Sequence, residues 1–428
     1  MHKIAPVTAE MAPKLSGGVI SEGGVSVGHS IRWLVASAAL WAGCGLGTAE
    51  RVRVDPVPQT AADSDGGPSG ALPLAPTVPL VFQPAFHQAL RWFDYTSGQV
   101  TFRYKIPIGR AGERIRVAFR AGDYPLVLHR AAVARAGEPG GNLGSAPVVL
   151  TFAGSEGVTL PAHTRMLSDP VAFPVSAGQE LSVSFAVEGA MAASAINGFP
   201  DSFAAPGDQT LAPSLTDATP RHRLAALQTI DVEAPSQRAF VAIGDSITEG
   251  YVTGEDDYRR AWPALAQSLS GTPVANAAVS GQGVWAANEY LADDVGVLEG
   301  RTDCVVLLGT NDLAALSPAE MIDRLSGLFE ALATGGCRVW AGTLLPKEST
   351  TGGDLGLVNW RRGEVNDWLR HRAPAFGVID FERAVALPDD PNRFVPGLDQ
   401  DGIHPSYAGQ RVMGEFAAQF LGPLPAPQ

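Results

Sequence analysis

Cysteine is scarce in this chain, with three residues in 428. That is too few for a disulfide-built scaffold, and no Cys-x-x-Cys pair offers a zinc site. Charge is also thin: 18% of residues are charged against 45% hydrophobic, which excludes wholesale disorder. Positive charge is the scarcer sign. The 31 Lys and Arg residues face 44 Asp and Glu, for a formal charge of −13, which disfavours a nucleic-acid partner. The 48 glycines and 33 prolines fall below the share expected of low-complexity chains, yet they promise many turns. At roughly 150 residues per domain the length allows two or three domains.

The chain opens with an address. Arg32 precedes the apolar run WLVASAALWAG and then Cys44. A basic flank, an apolar stretch and small residues before a cut site describe a secretory signal, and the run is too short to span a bilayer. Leu40-Trp41-Ala42-Gly43-Cys44 resembles a bacterial lipobox, in which the cysteine is lipidated, although Trp41 occupies the place usual for leucine. Residues 1–44 are therefore expected to be a signal peptide of the lipoprotein kind. The alternatives are a cleaved signal without lipid, or a buried apolar helix. Residues 45–80, proline-rich and carrying DSDGGPSG, read as a disordered linker that gives the folded part reach. The protein is expected to be exported, at the periplasm or cell surface if lipidated and otherwise secreted. Its only membrane contact would be through Cys44.

From Arg91 to Gly189 the hydrophobic period is two. Val100, Phe102, Tyr104 and Ile106 share one face, with Thr101, Arg103 and Lys105 on the other; RIRVAFR and LSVSFAVE repeat the scheme. Such runs, split by Gly and Pro turns, predict an all-β sandwich or jelly roll over 81–236. No cluster of catalytic residue types lies here. A scaffold is the plainer reading and a carbohydrate-binding surface the alternative.

After Gln237 the pattern changes. AFVAIG, CVVLLG and RVWAGTL are continuous apolar runs separated by helical patterns, as for strands buried on both faces. Ser317-Pro318-Ala319-Glu320 is a capping box that opens a helix closed by Gly335-Gly336. Residues 237–428 are thus expected to form an α/β domain, a parallel sheet with helices on both faces and its site at the carboxyl ends of the strands. Cys304 and Cys337 each begin an apolar run. Buried free thiols are the plainer expectation for them, and a disulfide between neighbouring strands the alternative.

Three motifs sit at such strand ends: Gly244-Asp245-Ser246-Ile247-Thr248, Gly309-Thr310-Asn311-Asp312 and, near the C-terminus, Asp401-Gly402-Ile403-His404-Pro405, with Ser280-Gly281-Gln282-Gly283 between the first two. The residue types suit acyl transfer. Serine needs a base, and a histidine held by a carboxylate is the common solution. Gly402 permits a turn bringing Asp401 to one imidazole nitrogen of His404, leaving the other for Ser246. Backbone N–H groups of Ser246 and Gly281, with the Asn311 amide, could receive an oxyanion. Asp245 reads as structural. Asp256, Asp257, Asp389 and Asp390 read as solvated loop charge, and His371 as part of an exposed helix end. Nothing matches a calcium loop or a zinc helix, so neither metal nor cofactor is expected.

In that order, GDSIT, the SGQG glycine, GTND and DGIHP resemble the four blocks of the SGNH, or GDSL-type, hydrolases. The resemblance spans Phe240 to Phe420 and implies a flavodoxin-like fold, with Ser246 as nucleophile, Asp401 and His404 completing the triad, and Ser246, Gly281 and Asn311 forming the oxyanion hole. The front half is similar, more loosely, to the β-sandwich that precedes the hydrolase domain in some secreted members. The expected function is a secreted, monomeric serine ester hydrolase removing short acyl groups from carbohydrate. A lipase or lysophospholipase acting on longer chains is the alternative. An inactive cell-surface carbohydrate-binding protein is the alternative of another class. G-x-S-x-G is absent, so an α/β-hydrolase lipase is not indicated.

Overall fold

The computed structural model describes residues 78–254 and 256–422, all within one compact unit. The expected signal peptide, Cys44 and nearly all of the linker lie outside the described residues.

The front half is antiparallel. Eleven strands are connected through one long strand, Gly112–Arg135. Its first part pairs with Leu227–Pro235, Arg165–Leu167 and Val171–Val175. Its second part pairs with Glu180–Ala193, Val148–Leu150 and Val158–Leu160. One strand therefore serves two layers, which close on a single core containing Ile115, Val117, Phe119, Phe185, Val187 and Ile230. The alternation anticipated in Trp92–Pro107 holds for Phe102, Tyr104 and Ile106, which point into that core.

The other face of that strand is not wet. Thr101 and Arg103 are buried, because the segments around Gly141 and Gly207–Ala212 fold over them. The Arg103 guanidinium donates to Ser184 Oγ and to the carbonyls of Gly141, Gln209 and Ala212. A buried cation is tolerated when its N–H groups all find acceptors, and here loop carbonyls supply them.

The back half is a five-stranded parallel sheet. In chain order its strands are Phe240–Gly244, Val274–Asn276, Asp303–Leu307, Arg338–Gly342 and Gly377–Ile379, and across the sheet they run 2-1-3-4-5. That is the flavodoxin-like order, whose switch point lies beside the first strand. The capping box forms as expected: Ser317 and Glu320 each accept from the other's backbone at the start of helix Pro318–Thr334. Cys304 and Cys337 are not free thiols. They are joined by a disulfide. The reason is register: Cys304 stands opposite Val339, and Cys337 shares the face of Val339 two residues earlier.

The two sheets meet directly. Gln88 forms a parallel bridge with Asn276, and the Ala89 N–H donates to the Asn276 carbonyl. Gln88 Nε2 donates to the Ala278 carbonyl. Phe86 and Phe199 of the front half pack on the Tyr258 ring of the back half. Arg116 and Arg120 reach across to Glu299 and Asp293. Helices around the parallel sheet bury Trp262, Leu325, Phe329, Val365 and Met413 in a core of their own.

Candidate active site

The first parallel strand ends at Gly244, and Asp245 caps the short helix Ser246–Glu249 by accepting from the Ile247 N–H at 3.0 Å. This turn sets Ser246 at the carboxyl end of the sheet, 7% exposed. Burial pushes Asp245 up to about 7, a rise that the Ile247 N–H and the nearby Lys347 ammonium oppose.

The C-terminal motif arrives from the other side. Gly402 has φ +78°, a left-handed turn that glycine takes at little cost, and its N–H donates to Asp399. The turn folds Asp401 back on His404. Asp401 Oδ1 accepts from the His404 N–H at 2.7 Å and the Ile403 N–H at 3.0 Å, while Oδ2 lies 2.8 Å from His404 Nδ1. His404 Nε2 is then 2.9 Å from Ser246 Oγ. Partial burial alone would raise Asp401, but the His404 backbone and ring hydrogen bonds outweigh it and hold the carboxyl below the usual range. Asp401 therefore stays ionised beside the imidazole.

Gly281 and Asn311 come to the same place. Gly281 has φ +82° with open space where a side chain would stand, so conformation rather than crowding calls for glycine. Asn311 Nδ2 donates to the Gln282 carbonyl at 3.0 Å, and Asp312 accepts from the Val284 N–H, which ties the GTND turn to the SGQG loop. Among the described residues, the Ser246 and Gly281 N–H groups have no hydrogen-bond acceptor. The Gln282 side chain in turn donates to the Gly244 carbonyl, which ties this loop to the strand end that carries Ser246.

Four further residues shape the site that the motifs alone do not single out. Glu249 is 1% exposed and takes four donors: Ser280 N–H and Oγ at 2.6 and 2.7 Å, and the Ala195 and Ile196 N–H groups at 3.0 and 3.4 Å. Gln282 donates to the Gly244 carbonyl and accepts from Arg91 of the front half. The Tyr251 ring packs edge-on against His404 at 4.8 Å. Lys347 is buried, and burial lowers its pKa against the pull of Asp245 and Asp401. No sequence signal marks these roles. The loop aspartates also differ from expectation. Asp256 accepts from the Val252 and Asn197 N–H groups, and Asp257 caps the turn Tyr258–Arg260, so both are structural. His371 is exposed at its helix end.

Among the described residues no cluster of His, Cys, Asp and Glu could hold a metal ion. Residues 242–412 match the GDSL-like lipase/acylhydrolase family. This region is a GDSL-like lipase/acylhydrolase domain. The chain carrying it is a carboxylic ester hydrolase of the esterase or lipase kind. No curated protein matches the chain. Among solved structures, the GDSL domain is similar to a member of the G-D-S-L lipolytic family from Veillonella parvula, at 22% identity and TM-score 0.36, covering 43% of this chain and 97% of that one. It is also similar to a GDSL-like lipase from Bacteroides thetaiotaomicron, at 18% identity and TM-score 0.35, covering 43% and 87%. A third is an acetyl xylan esterase, AlAXEase, at 18% identity and TM-score 0.35, covering 42% and 99%.

Proposed function

We propose that this GDSL-type enzyme is an exported, monomeric serine esterase that removes short acyl groups, acetyl above all, from carbohydrate. The reading rests chiefly on one observation, the unbroken hydrogen-bonded chain from Asp401 through His404 to Ser246. In the mechanism, His404 Nε2 takes the Ser246 proton as Oγ attacks the ester carbonyl, and Asp401 holds the Nδ1–H that keeps the imidazole in the required tautomer. The oxyanion forms against the Ser246 and Gly281 N–H groups and the Asn311 amide. His404 then protonates the departing alcohol, and water repeats the sequence to free the acid. The mechanism requires neither metal nor cofactor. The signal-like N-terminus and Cys44 support export, with the lipid as anchor and residues 45–80 as tether.

Preference for a short acyl group is tested by hydrolysis of p-nitrophenyl acetate, butyrate, octanoate and palmitate. A steep fall after acetate is expected, and a maximum at octanoate or beyond would replace this reading with a lipase. Ser246→Ala should lower kcat by ~10⁴–10⁶ while the fold persists, judging by other triad enzymes. Turnover retained by that variant would overturn the assignment of Ser246 as nucleophile.

A further inference from the structure

Tyr251, whose ring packs on His404, also lines a cleft of about 1020 Å³ between the front and back halves. The back half contributes Arg259, Arg260 and Tyr407, and the front half contributes Arg221, His222 and Arg223. Among the described residues, each acid lining this cleft is already engaged. Asp257 and Asp201 face Arg259. Asp256 is held by the backbone N–H groups of Val252 and Asn197, and Arg221 is paired with Asp94 outside the lining. Among the described residues, neither Arg223 nor Arg260 has a carboxylate partner. Arg223 is half-buried, its Nε is buried without a hydrogen-bond partner, and its guanidinium lies beside the Trp92 ring. Arg260 is fixed over the Tyr407 ring at 3.2 Å.

We infer that this cleft receives an acidic sugar unit, so that the enzyme's substrate is an acylated anionic polysaccharide whose carboxylate meets Arg223 and Arg260. The inference rests on the esterase reading above and specifies its alcohol. Three points carry it. First, the chain as a whole has a charge of −13, so two guanidiniums without a carboxylate partner among the described residues, in a cleft that shares Tyr251 with the catalytic histidine, are a local exception to a field that repels anions. Second, guanidinium is the side chain whose planar fork matches a carboxylate, and the Arg260 fork is held over the Tyr407 ring. Third, Trp92 next to Arg223 is 52% exposed, a flat ring against which a sugar can pack while its carboxylate turns to the cation. A lipid phosphate would share the charge chemistry. The cleft, however, is lined mainly by charged and polar groups and offers no continuous apolar wall for a chain.

The test compares galactan and polygalacturonate oligomers acetylated to the same degree, with acetate release followed. kcat/KM should favour polygalacturonate by ~10-fold or more at low salt, the scale of a charge-assisted contact. The ratio should fall towards one in about 0.5 M NaCl, which screens exposed charge. It should also fall in Arg223→Gln and in the exposed-site variant Arg260→Gln, chiefly through KM. Equal rates on the two polymers, or a ratio untouched in both variants, would overturn the inference. So would faster hydrolysis of lysophosphatidylglycerol than of either polymer. Binding of unacetylated trigalacturonate to Ser246→Ala, measured by calorimetry, decides the point without turnover. Heat that vanishes in Arg260→Gln supports the cleft even if the esterase reading fails; no heat refutes it even if p-nitrophenyl acetate is cleaved.

Discussion

Glu249→Gln should damage catalysis without touching substrate. The carboxylate is enclosed, and each of its oxygens accepts from two donors, Ser280 N–H and Oγ on one side and Ala195 and Ile196 N–H on the other. Burial pushes Glu249 up, and the four donors converging on its two oxygens, which favour the charged form, offset only part of that rise. Glutamine keeps the shape and cannot keep the pattern, because its NH₂ must face N–H groups whichever way the amide is turned. Losing the charge and setting donor against donor costs about 2–3 kcal/mol in a buried site. Ser280 immediately precedes Gly281, whose N–H is a proposed oxyanion donor. Loss of a whole donor costs ~10²–10³ in rate, so a displaced one should cost about 10–100-fold in kcat with a smaller change in KM. The assay is steady-state hydrolysis of p-nitrophenyl acetate beside urea unfolding of the same preparation. A variant with kcat within about twofold of the parent and unchanged stability would refute the reasoning. A loss of stability with kcat intact would show that Glu249 serves the interface alone.

Three other outcomes are expected. The Asp245 carboxyl rises from an ordinary 3.8 to about 7 on folding, so the stability it contributes is fully present below pH 3.8 and is lost as pH climbs through about 7. Asp245→Asn removes that titration, and its urea stability should gain on the parent by roughly a few kcal/mol between pH 4 and pH 8; parallel pH profiles would refute this. Cys304→Ala with Cys337→Ala opens a loop closed across a separation of 33 residues and should cost about 3–4 kcal/mol in the chain-entropy account. Because both cysteines lie at the amino ends of their strands, away from the catalytic end, kcat should survive at temperatures where the variant is folded. EDTA should leave turnover unchanged; inhibition reversed by added metal would require a different mechanism.

Much of the site was legible because its residues sit in short, punctuated motifs at the ends of apolar runs. The Asp401–His404 turn could be drawn from three residues, since a glycine between an acid and a histidine three apart allows the left-handed bend that brings them together. The parallel sheet followed from runs with no polar alternation. What escaped was whatever depends on contacts distant in the chain. Arg103 alternates like a solvent-facing residue and is buried only because loops more than thirty residues away supply its acceptors. The disulfide needed the register of two strands, which no local pattern fixes. Glu249 reads as a routine helix acid until Ala195 and Ile196 are placed beside it.

The contact between the two halves also bears on how such a chain is inherited. Its fold changes type between Pro235 and Phe240, where a gene joining two independent modules would be expected to tolerate a break. Yet the hydrogen bonds of Asn276, Glu249 and Gln282 run to partners on both sides of that point. A fragment beginning at Gln237 would carry every catalytic motif and still lack half the support of its oxyanion loop. Recombination there would separate residues that work only as a set. Any relative that has exchanged its front half should therefore carry compensating changes at Glu249 and Gln282, whose side chains make the contact, and none at Asn276, which meets the front half through its backbone alone.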